Sequence, residues 1–318
     1  MKILPSLLAV TLAFVVFAEA GEPSVFAKEP VHSPFVGGFE DARRPISNPT
    51  LFDLAIPQTQ LHPIFAYHRL PSSFKTTLGD VPVGGHVEAY AVQLEIALTE
   101  RLSLNAVKDG YFIFEPDATL SNTEGWGNIG AGLKYALILN HEKQLAVSTQ
   151  LVYEVPSGSR EVFQGEGDGT FIPSLNVLKL HNRWQFANQF GFEIPVDSGA
   201  ESSTFYNSMN VSYKLTDRIF PMFEVNWFSV LDAGDGGQRF NEQVGGLVPA
   251  VATFEGHDLF NFGAANAEDN RHLVTFALGS RARITDRLDL GFAWEFPVTD
   301  SDASVIEDRF YFDFVLRF

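Results

Sequence analysis

Apolar and polar residues alternate along much of the chain, most clearly in its last ten residues. One face of this stretch is wholly apolar and consists of Phe310, Phe312, Phe314, Leu316 and Phe318. The opposite face carries three charges, at Arg309, Asp313 and Arg317. Because a β-strand points successive side chains to opposite sides, the alternation predicts a strand with one apolar and one polar face.

The same period of two recurs along the chain and predicts about twelve strands. We place them at 61–69, 86–98, 101–114, 127–139, 143–155, 170–180, 183–194, 203–215, 218–231, 271–284, 287–297 and 309–318. Their polar faces are rich in Gly, Ala, Ser, Asn and Gln. Small polar residues suit the crowded, wet interior of a barrel better than the solvated face of a soluble sandwich.

Short turns alternate with long loops between these strands. The segments 98–101, 215–218 and 284–287 nearly repeat one another, and 140–143 and 180–183 have a similar shape. An even number of strands, with short turns at one end and long loops at the other, is typical of bacterial outer-membrane barrels. We therefore predict an all-β fold: a transmembrane antiparallel up-and-down β-barrel, whose closure pairs the backbone groups that lipid would otherwise expose.

The distribution of charge agrees with this topology. The formal net charge is −17, and the charges of the six long loops sum to the same value. The loops span 70–85, 115–125, 156–169, 195–202, 232–270 and 298–308. Such acidity disfavours nucleic acid as a partner, since binding phosphates requires a basic surface. The chain has no Cys, which excludes disulfides and thiolate metal sites.

The first sixty residues precede the regular pattern. Lys2, the apolar run 7–17 and Ala18-Glu19-Ala20 match a secretory signal peptide. We expect residues 1–20 to be cleaved and the protein to reach the bacterial outer membrane. Residues 21–60, here named the lead-in segment, carry six prolines, which exclude central strands. A plug inside the barrel and a disordered periplasmic tail both fit this segment, and the barrel follows at 61–318.

Two short motifs resemble a known family. Residues 125–135, GWGNIGAGLKY, are similar to the "G-x-G-D-x-x-x-G-x-K-Y" strand of the outer-membrane proteins grouped under the meta-pathway of phenol degradation. Residues 155–158, VPSG, resemble the "L-P-T-G" strand end of that family. Asn128 and Ser157 stand where the family usually has Asp and Thr. The resemblance covers roughly 61–318 and implies an outer-membrane barrel that serves as a channel for small organic compounds.

Ten charged residues fall on the inward faces of the predicted strands or at their ends. They are Glu95, Lys134, Glu154, Glu193, Lys214, Glu224, Arg281, Asp289, Glu295 and Asp313. One hypothesis is that they line a polar pore, paired in part around a narrow aqueous path. The alternative is that they form buried ion pairs, which fill a closed barrel or dock the lead-in segment. Water or pairing must satisfy them in either case, because a buried unpaired charge is costly.

Other motifs support no cofactor or metal site. The glycine spacing of Gly125-x-Gly127-x-x-Gly130 matches that of a dinucleotide-binding fingerprint, but the motif precedes a strand rather than a helix. The acidic stretches 165–169 and 300–302 do not complete a calcium loop, so we interpret both as solvated loops. The eight histidines show no metal-ligand spacing. No nucleophile and base stand at a recognisable spacing, so we expect no enzyme.

The sequence therefore predicts an outer-membrane channel or transporter for passive passage of small solutes. A plugged structural or partner-binding barrel with acidic surface loops is the alternative, and a barrel enzyme is a weaker one. The expected partners are outer-membrane lipid, small solutes and the outer-membrane assembly machinery, with the chain a monomer. The apolar face that ends at Phe318 is similar to the signal which that machinery reads. We expect it to act as the assembly signal.

Overall fold

The computed structural model describes residues 37–240 and 245–318. The predicted signal peptide and residues 21–36 of the lead-in segment lie outside the described residues. The strands are β1 Gln60–Arg69, β2 Ser73–Thr76, β3 Gly79–Pro82, β4 His86–Ala97, β5 Leu102–Lys108, β6 Gly110–Glu115, β7 Thr123–Trp126, β8 Ile129–Asn140, β9 Leu145–Val155, β10 Thr170–His181, β11 Trp184–Pro195, β12 Ser203–Tyr213, β13 Ile219–Asp232, β14 His272–Arg283, β15 Leu288–Pro297 and β16 Asp308–Arg317.

Helical structure in the described ranges is limited to single turns within the loops. Arg160–Val162, Gly245–Leu247 and Ser301–Ala303 form 3₁₀ turns, and Val248–Val251 forms one turn of α-helix. No helix within residues 37–240 or 245–318 is long and apolar enough to cross a membrane.

Antiparallel pairing closes the sheet into a barrel. β1 pairs with β16 on one side and with β4 on the other, so that Tyr67 lies opposite both Phe310 and Glu88. β5 and β6 are the two halves of one barrel strand, as are β7 and β8, while β2 and β3 form a separate hairpin. The prediction of a twelve-stranded antiparallel barrel is therefore confirmed.

Side chains alternate between the two sides of the wall as the pattern predicts. In β16, Phe312 and Phe314 are exposed on the outside, whereas Tyr311, Asp313 and Val315 are buried on the inside. The outward set provides the apolar band that a bilayer requires. The inward set supplies the polar groups of the interior.

The two ends of the barrel differ in their connections. Short turns join β4 to β5, β8 to β9, β10 to β11, β12 to β13 and β14 to β15, at the predicted positions. Gln60 pairs with Arg317 at this end, so both ends of the barrel chain lie on the short-turn side. The long loops occupy the opposite end, which is here named the outer end after the predicted orientation.

The third barrel strand differs from the predicted continuous strand 101–114, and the fourth extends beyond the predicted 127–139 to include Thr123–Trp126. Each is interrupted, between Lys108 and Gly110 and between Trp126 and Ile129. The pairing of β5 with β8 shifts register between Ala106 and Lys108. Such a bulge inserts one extra residue and reverses which positions face inward: Ser103, Asn105 and Val107 are buried before it, and Phe112 and Phe114 after it.

Candidate functional site

The described part of the lead-in segment, residues 37–60, runs through the barrel interior and contacts the inward faces of many strands. Phe39, Phe52 and Leu54 pack with Leu178 and Leu180 of β10 in one buried cluster. The peptide N–H of Arg43 donates to Gln185 at 2.7 Å. The peptide N–H of Asp53 donates to Gln189 at 2.7 Å. The polar faces of the strands thus satisfy the backbone of residues 37–59, which form no helix or strand.

A charged cluster joins the lead-in segment to β4 and β8. Lys134 donates to Asp53 at 2.7 Å and to the Leu54 carbonyl at 3.0 Å, and it lies 2.9 Å from Glu95. Arg44 donates to the other oxygen of Asp53 at 2.7 Å. Two carboxylates therefore face two cations, and each charge has an opposite neighbour as burial requires.

Glu224 of β13 holds the next part of the segment. Its two carboxylate oxygens accept from the N–H groups of Ile46 at 2.9 Å and Ser47 at 2.7 Å. Asn210 donates to the same carboxylate at 2.8 Å. Because two adjacent peptide N–H groups donate to one carboxylate, Glu224 fixes the position of the segment along the barrel axis.

The short-turn end of the interior contains a second charged network. Arg281 donates to Asp313 at 2.7 and 2.6 Å with two nitrogens, and His62 is hydrogen-bonded to the same carboxylate at 2.6 Å. Arg317 donates to Asp289 at 2.7 Å, and Arg43 of the lead-in segment is 3.5 Å from that oxygen. Bidentate arginine–carboxylate pairs are among the strongest charge-assisted contacts.

The remaining predicted residues also have partners. Glu154 accepts from Asn128 at 2.7 Å and lies 2.8 Å from Lys108, and Glu193 accepts a hydrogen bond from Thr204. Glu295 accepts from Tyr311 at 2.9 Å. Lys214 donates to Asp41 at 2.8 Å. These side chains pair with one another, with neighbouring strands or with the lead-in segment.

Nine of the ten predicted residues are buried, and Lys214 is partly exposed. The hypothesis that they line a conducting path stays a prediction. The prediction omitted Arg309 and Arg317, which lie on the polar face of the last strand. It also omitted Arg43, Arg44 and Asp53 of the lead-in segment. Asp53 could have been found from the sequence, because it is a single charge within the otherwise apolar stretch LFDLAI, residues 51–56.

The long loop between β13 and β14 folds into the outer mouth. Phe254, Phe260 and Phe262 are buried there, with the rings of Phe260 and Phe262 stacked 6.1 Å apart. Asp258 at the inner tip accepts from Arg309 of β16 at 2.6 Å. Its carbonyl accepts from Thr50 at 3.4 Å. The loop therefore meets the lead-in segment inside the barrel.

This arrangement corrects the expectation that the acidic loops form a solvated rim. Glu255 and Asp258 of the long loop are buried, and so is Glu166 in the stretch 165–169. Glu255 accepts from the N–H groups of Phe262, Gly256 and Ala264. The peptide groups of the loop thus compensate this charge, and an aperiodic loop gives no sequence signal for such a cage.

A cavity of about 50 Å³ remains between the lead-in segment and the long loop. Pro49 and Thr50 border it on one side and Asp258 and Leu259 on the other. A cavity of this size holds about three or four water molecules. Most of the atoms that line it are apolar.

The same cavity reaches the wall where the third and fourth strands are interrupted. Its lining includes Gly110, Gly127 and the outward-facing Tyr90. The Gly127 N–H donates to the Gly110 carbonyl at 2.8 Å, but residues 107–109 have no ladder partner on β4. A Cβ on Gly127 would lie 2.7 Å from the ring of Phe112. Glycine therefore permits the close packing of this interrupted wall.

No group of three or more His, Asp or Glu side chains in residues 37–240 and 245–318 is placed to hold a metal ion.

Comparisons with known proteins identify the fold and the family. The barrel is similar to an outer membrane channel from Pseudomonas putida F1, with a TM-score of 0.54 and 13% identity over 82% of this chain and 95% of that one. It is also similar to the NanC porin, with a TM-score of 0.50 and 8% identity over 81% of this chain and 100% of that one. These structures share the fold of outer-membrane channels.

A search of curated proteins found no significant match to the chain. The family model described as "Putative MetA-pathway of phenol degradation" matches residues 73–284, about two thirds of the chain. The motifs at 125–135 and 155–158 fall within the matched residues. The chain is an outer-membrane β-barrel that belongs to this family.

Proposed function

We propose that the barrel mediates passive passage of small organic solutes across the outer membrane. The cavity at the interrupted wall carries this proposal. It combines an apolar lining, a position between the lead-in segment and the long loop, and contact with the lipid-facing Tyr90. The family's assignment to phenol degradation and its fold of outer-membrane channels support the same solute class.

The straight axial route is filled in this conformation. The lead-in segment is tied to Glu224, Lys134 and Asp289, and the long loop is tied to Arg309. The cavity is also much smaller than an occupied ligand pocket, which has roughly 300–1,000 Å³. Passage of a solute therefore requires movement of the loop or of the lead-in segment.

The filled interior also favours a second candidate function, a plugged barrel that acts as a structural or partner-binding element. A transport assay separates the two. Liposome swelling in sodium benzenesulfonate measures passage of an aromatic anion that lipid excludes. We expect reconstituted protein to raise the swelling rate above that of protein-free liposomes.

A matched pair of leucines in the long loop tests the route. Leu259 borders the cavity, whereas Leu247 is 54% exposed and away from it. Leu259→Trp should fill the cavity and reduce swelling to near background, whereas Leu247→Trp should leave it unchanged. Absence of swelling with the wild-type protein would favour the structural candidate, and equal swelling of both variants would reject the cavity as the route.

We also propose that the mature protein begins at Gly21 after export through the inner membrane. The support is the charged start, the short apolar run and the Ala18-Glu19-Ala20 pattern. N-terminal sequencing of protein from the membrane fraction should give Gly-Glu-Pro-Ser. A sequence that begins at Met1 would reject the cleavage.

A further inference from the structure

Two outer loops bring carboxylates into a buried group at the mouth of the barrel. Glu166 lies in the loop between β9 and β10, and Glu201 lies in the loop between β11 and β12. Both border a small cavity together with Glu154 of β9, Glu193 of β11 and Lys108 of β5. Each of the four carboxylates is at least nine-tenths buried. One ammonium group therefore stands among four carboxyl groups.

Glycines turn Glu166 into this cavity. Gly165, Gly167 and Gly169 have φ values of 77°, 63° and 96°, a region that favours glycine. The alternating left-handed positions bury Glu166 and leave Asp168 exposed on the outside. A Cβ on Gly167 would lie 3.2 Å from a carboxylate oxygen of Glu201, so the two loops are in close contact at this point.

The hydrogen bonds in this group leave Glu166 incompletely satisfied. Lys108 lies 2.8 Å from Glu154, and Thr170 donates to Glu201 at 2.7 Å. Glu193 accepts from Thr204. Oε1 of Glu166 has no hydrogen-bond partner among the described residues. A buried carboxylate oxygen without a partner costs much less when the group is protonated.

The charges around the two loop carboxyls are mostly of the same sign. Glu201 and Glu154 disfavour a negative charge on Glu166, and Arg160 opposes them. Glu154 and Glu193 likewise disfavour a negative charge on Glu201, and Lys108 opposes them. Asp258 of the long loop lies beyond Glu193 and is paired with Arg309. Burial, followed by these like charges, raises the pKa of Glu166 to about 8. Burial likewise raises the pKa of Glu201 to about 7.

We propose that these two loops form a pH-sensitive latch over the outer mouth, closed while Glu166 and Glu201 hold protons and loosened when they lose them. A carboxyl group whose pKa is higher in the closed loops stabilises the closed state at low pH. That stabilisation falls as the pH rises from the ordinary value of 4.5 towards 8. Loss of the protons leaves four carboxylates around Lys108, and repulsion separates the loops from the rim.

Hydrogen–deuterium exchange of the detergent-solubilised barrel tests the latch directly. Peptides that cover 156–169 and 196–202 should exchange at least about tenfold faster at pH 9 than at pH 6, after correction for the intrinsic rate, because one pKa unit corresponds to a tenfold change in the equilibrium. Glu166→Gln mimics one protonated group and should reduce this pH dependence, and the double variant Glu166→Gln with Glu201→Gln should remove it. Asp168→Asn, two residues away and exposed, should behave as the wild-type protein does.

Three outcomes would overturn the latch. They are loops equally protected at both pH values, an unchanged pH response in Glu166→Gln, and protection at pH 9 by calcium that Glu166→Gln abolishes. The consequence for solute passage rests on the proposed function. The exchange measurement itself requires no transport, so failure of either proposal is recognised separately.

Discussion

Gly291 leaves room for the buried pair between Arg281 and Asp313. A Cβ at this position would lie 2.0 Å from Oδ1 of Asp313 and 2.8 Å from Nη1 of Arg281. The strand has glycine at this position because the neighbouring ion pair occupies the space that a side chain would need. The sequence indicates that such glycines allow a close approach, but it does not say which side chain approaches.

Gly291→Ala should therefore destabilise the barrel by about 1–3 kcal/mol, because the inserted methyl group overpacks the interior. Gly37→Ala is the matched control, since a Cβ there would meet nothing within 4 Å. Urea titration of both variants in detergent measures the free energy of unfolding. Equal stability of the two variants would show that the pair moves aside without cost.

Lys134 is the shared cation of two buried carboxylates, those of Asp53 and Glu95. Lys134→Met should cost about 3–5 kcal/mol, because it leaves Asp53 and Glu95 buried without their shared cation. Lys179→Met is the control, since Lys179 is partly exposed and donates to a single backbone carbonyl, that of Lys143. Thermal unfolding followed by heat-modifiable gel mobility compares the two. A Lys134→Met barrel as stable as the control would contradict the role of this cluster.

At the scale of elements, the strands were predictable and the filling of the barrel was not. β16 could be read from alternation alone because one of its faces meets lipid and the other meets a polar interior. The interruption at Asp109 was hidden because the inward Phe112 and Phe114 continue the even-numbered apolar run that Leu102 and Leu104 begin on the outside. The inward path of the long loop lacks periodicity. The lead-in segment gives no pattern either, because the strands, and not its own backbone, satisfy its hydrogen bonds.

The last strand should be essential for assembly. Phe314→Asp places a carboxylate on the lipid face of β16, which costs less than the ~2–4 kcal/mol of a mid-bilayer Lys or Arg. Together with deletion of Phe318, it should strongly reduce folded barrel in the outer membrane. Leu78→Asp, at the exposed tip between β2 and β3, is the control. Normal amounts of heat-modifiable, protease-resistant barrel in the Phe variant would reject the assembly signal.

The long loop should be the first site of external proteolysis. Arg239 is exposed in this loop, whereas Arg218 and Arg287 are exposed in turns at the opposite end. Trypsin added to intact cells should therefore cleave after Arg239 and leave both turns uncut. Arg239→Gln removes the site and serves as the control. Cleavage at the turns of intact cells would invert the orientation of the barrel.

At the scale of the whole molecule, the barrel is closed from both ends by its own chain. The lead-in segment enters beside the short turn that contains His141, and the long loop descends from the outer mouth. The two meet at Thr50 and Asp258, next to the cavity at the interrupted wall. Some of the acidic side chains that were predicted to lie on the solvated rim are instead buried where the loops and the lead-in segment close the barrel.

Single-channel conductance in planar bilayers tests this closure most directly. The mature protein should show small or rare openings, whereas a variant without residues 38–57 should conduct steadily. Heat-modifiable mobility verifies that the variant is folded. Ser47→Asp, which places a carboxylate beside Glu224 and expels the lead-in segment, replaces the deletion if the shortened chain does not assemble. A wild-type barrel that conducts as steadily as these variants would contradict the closed interior.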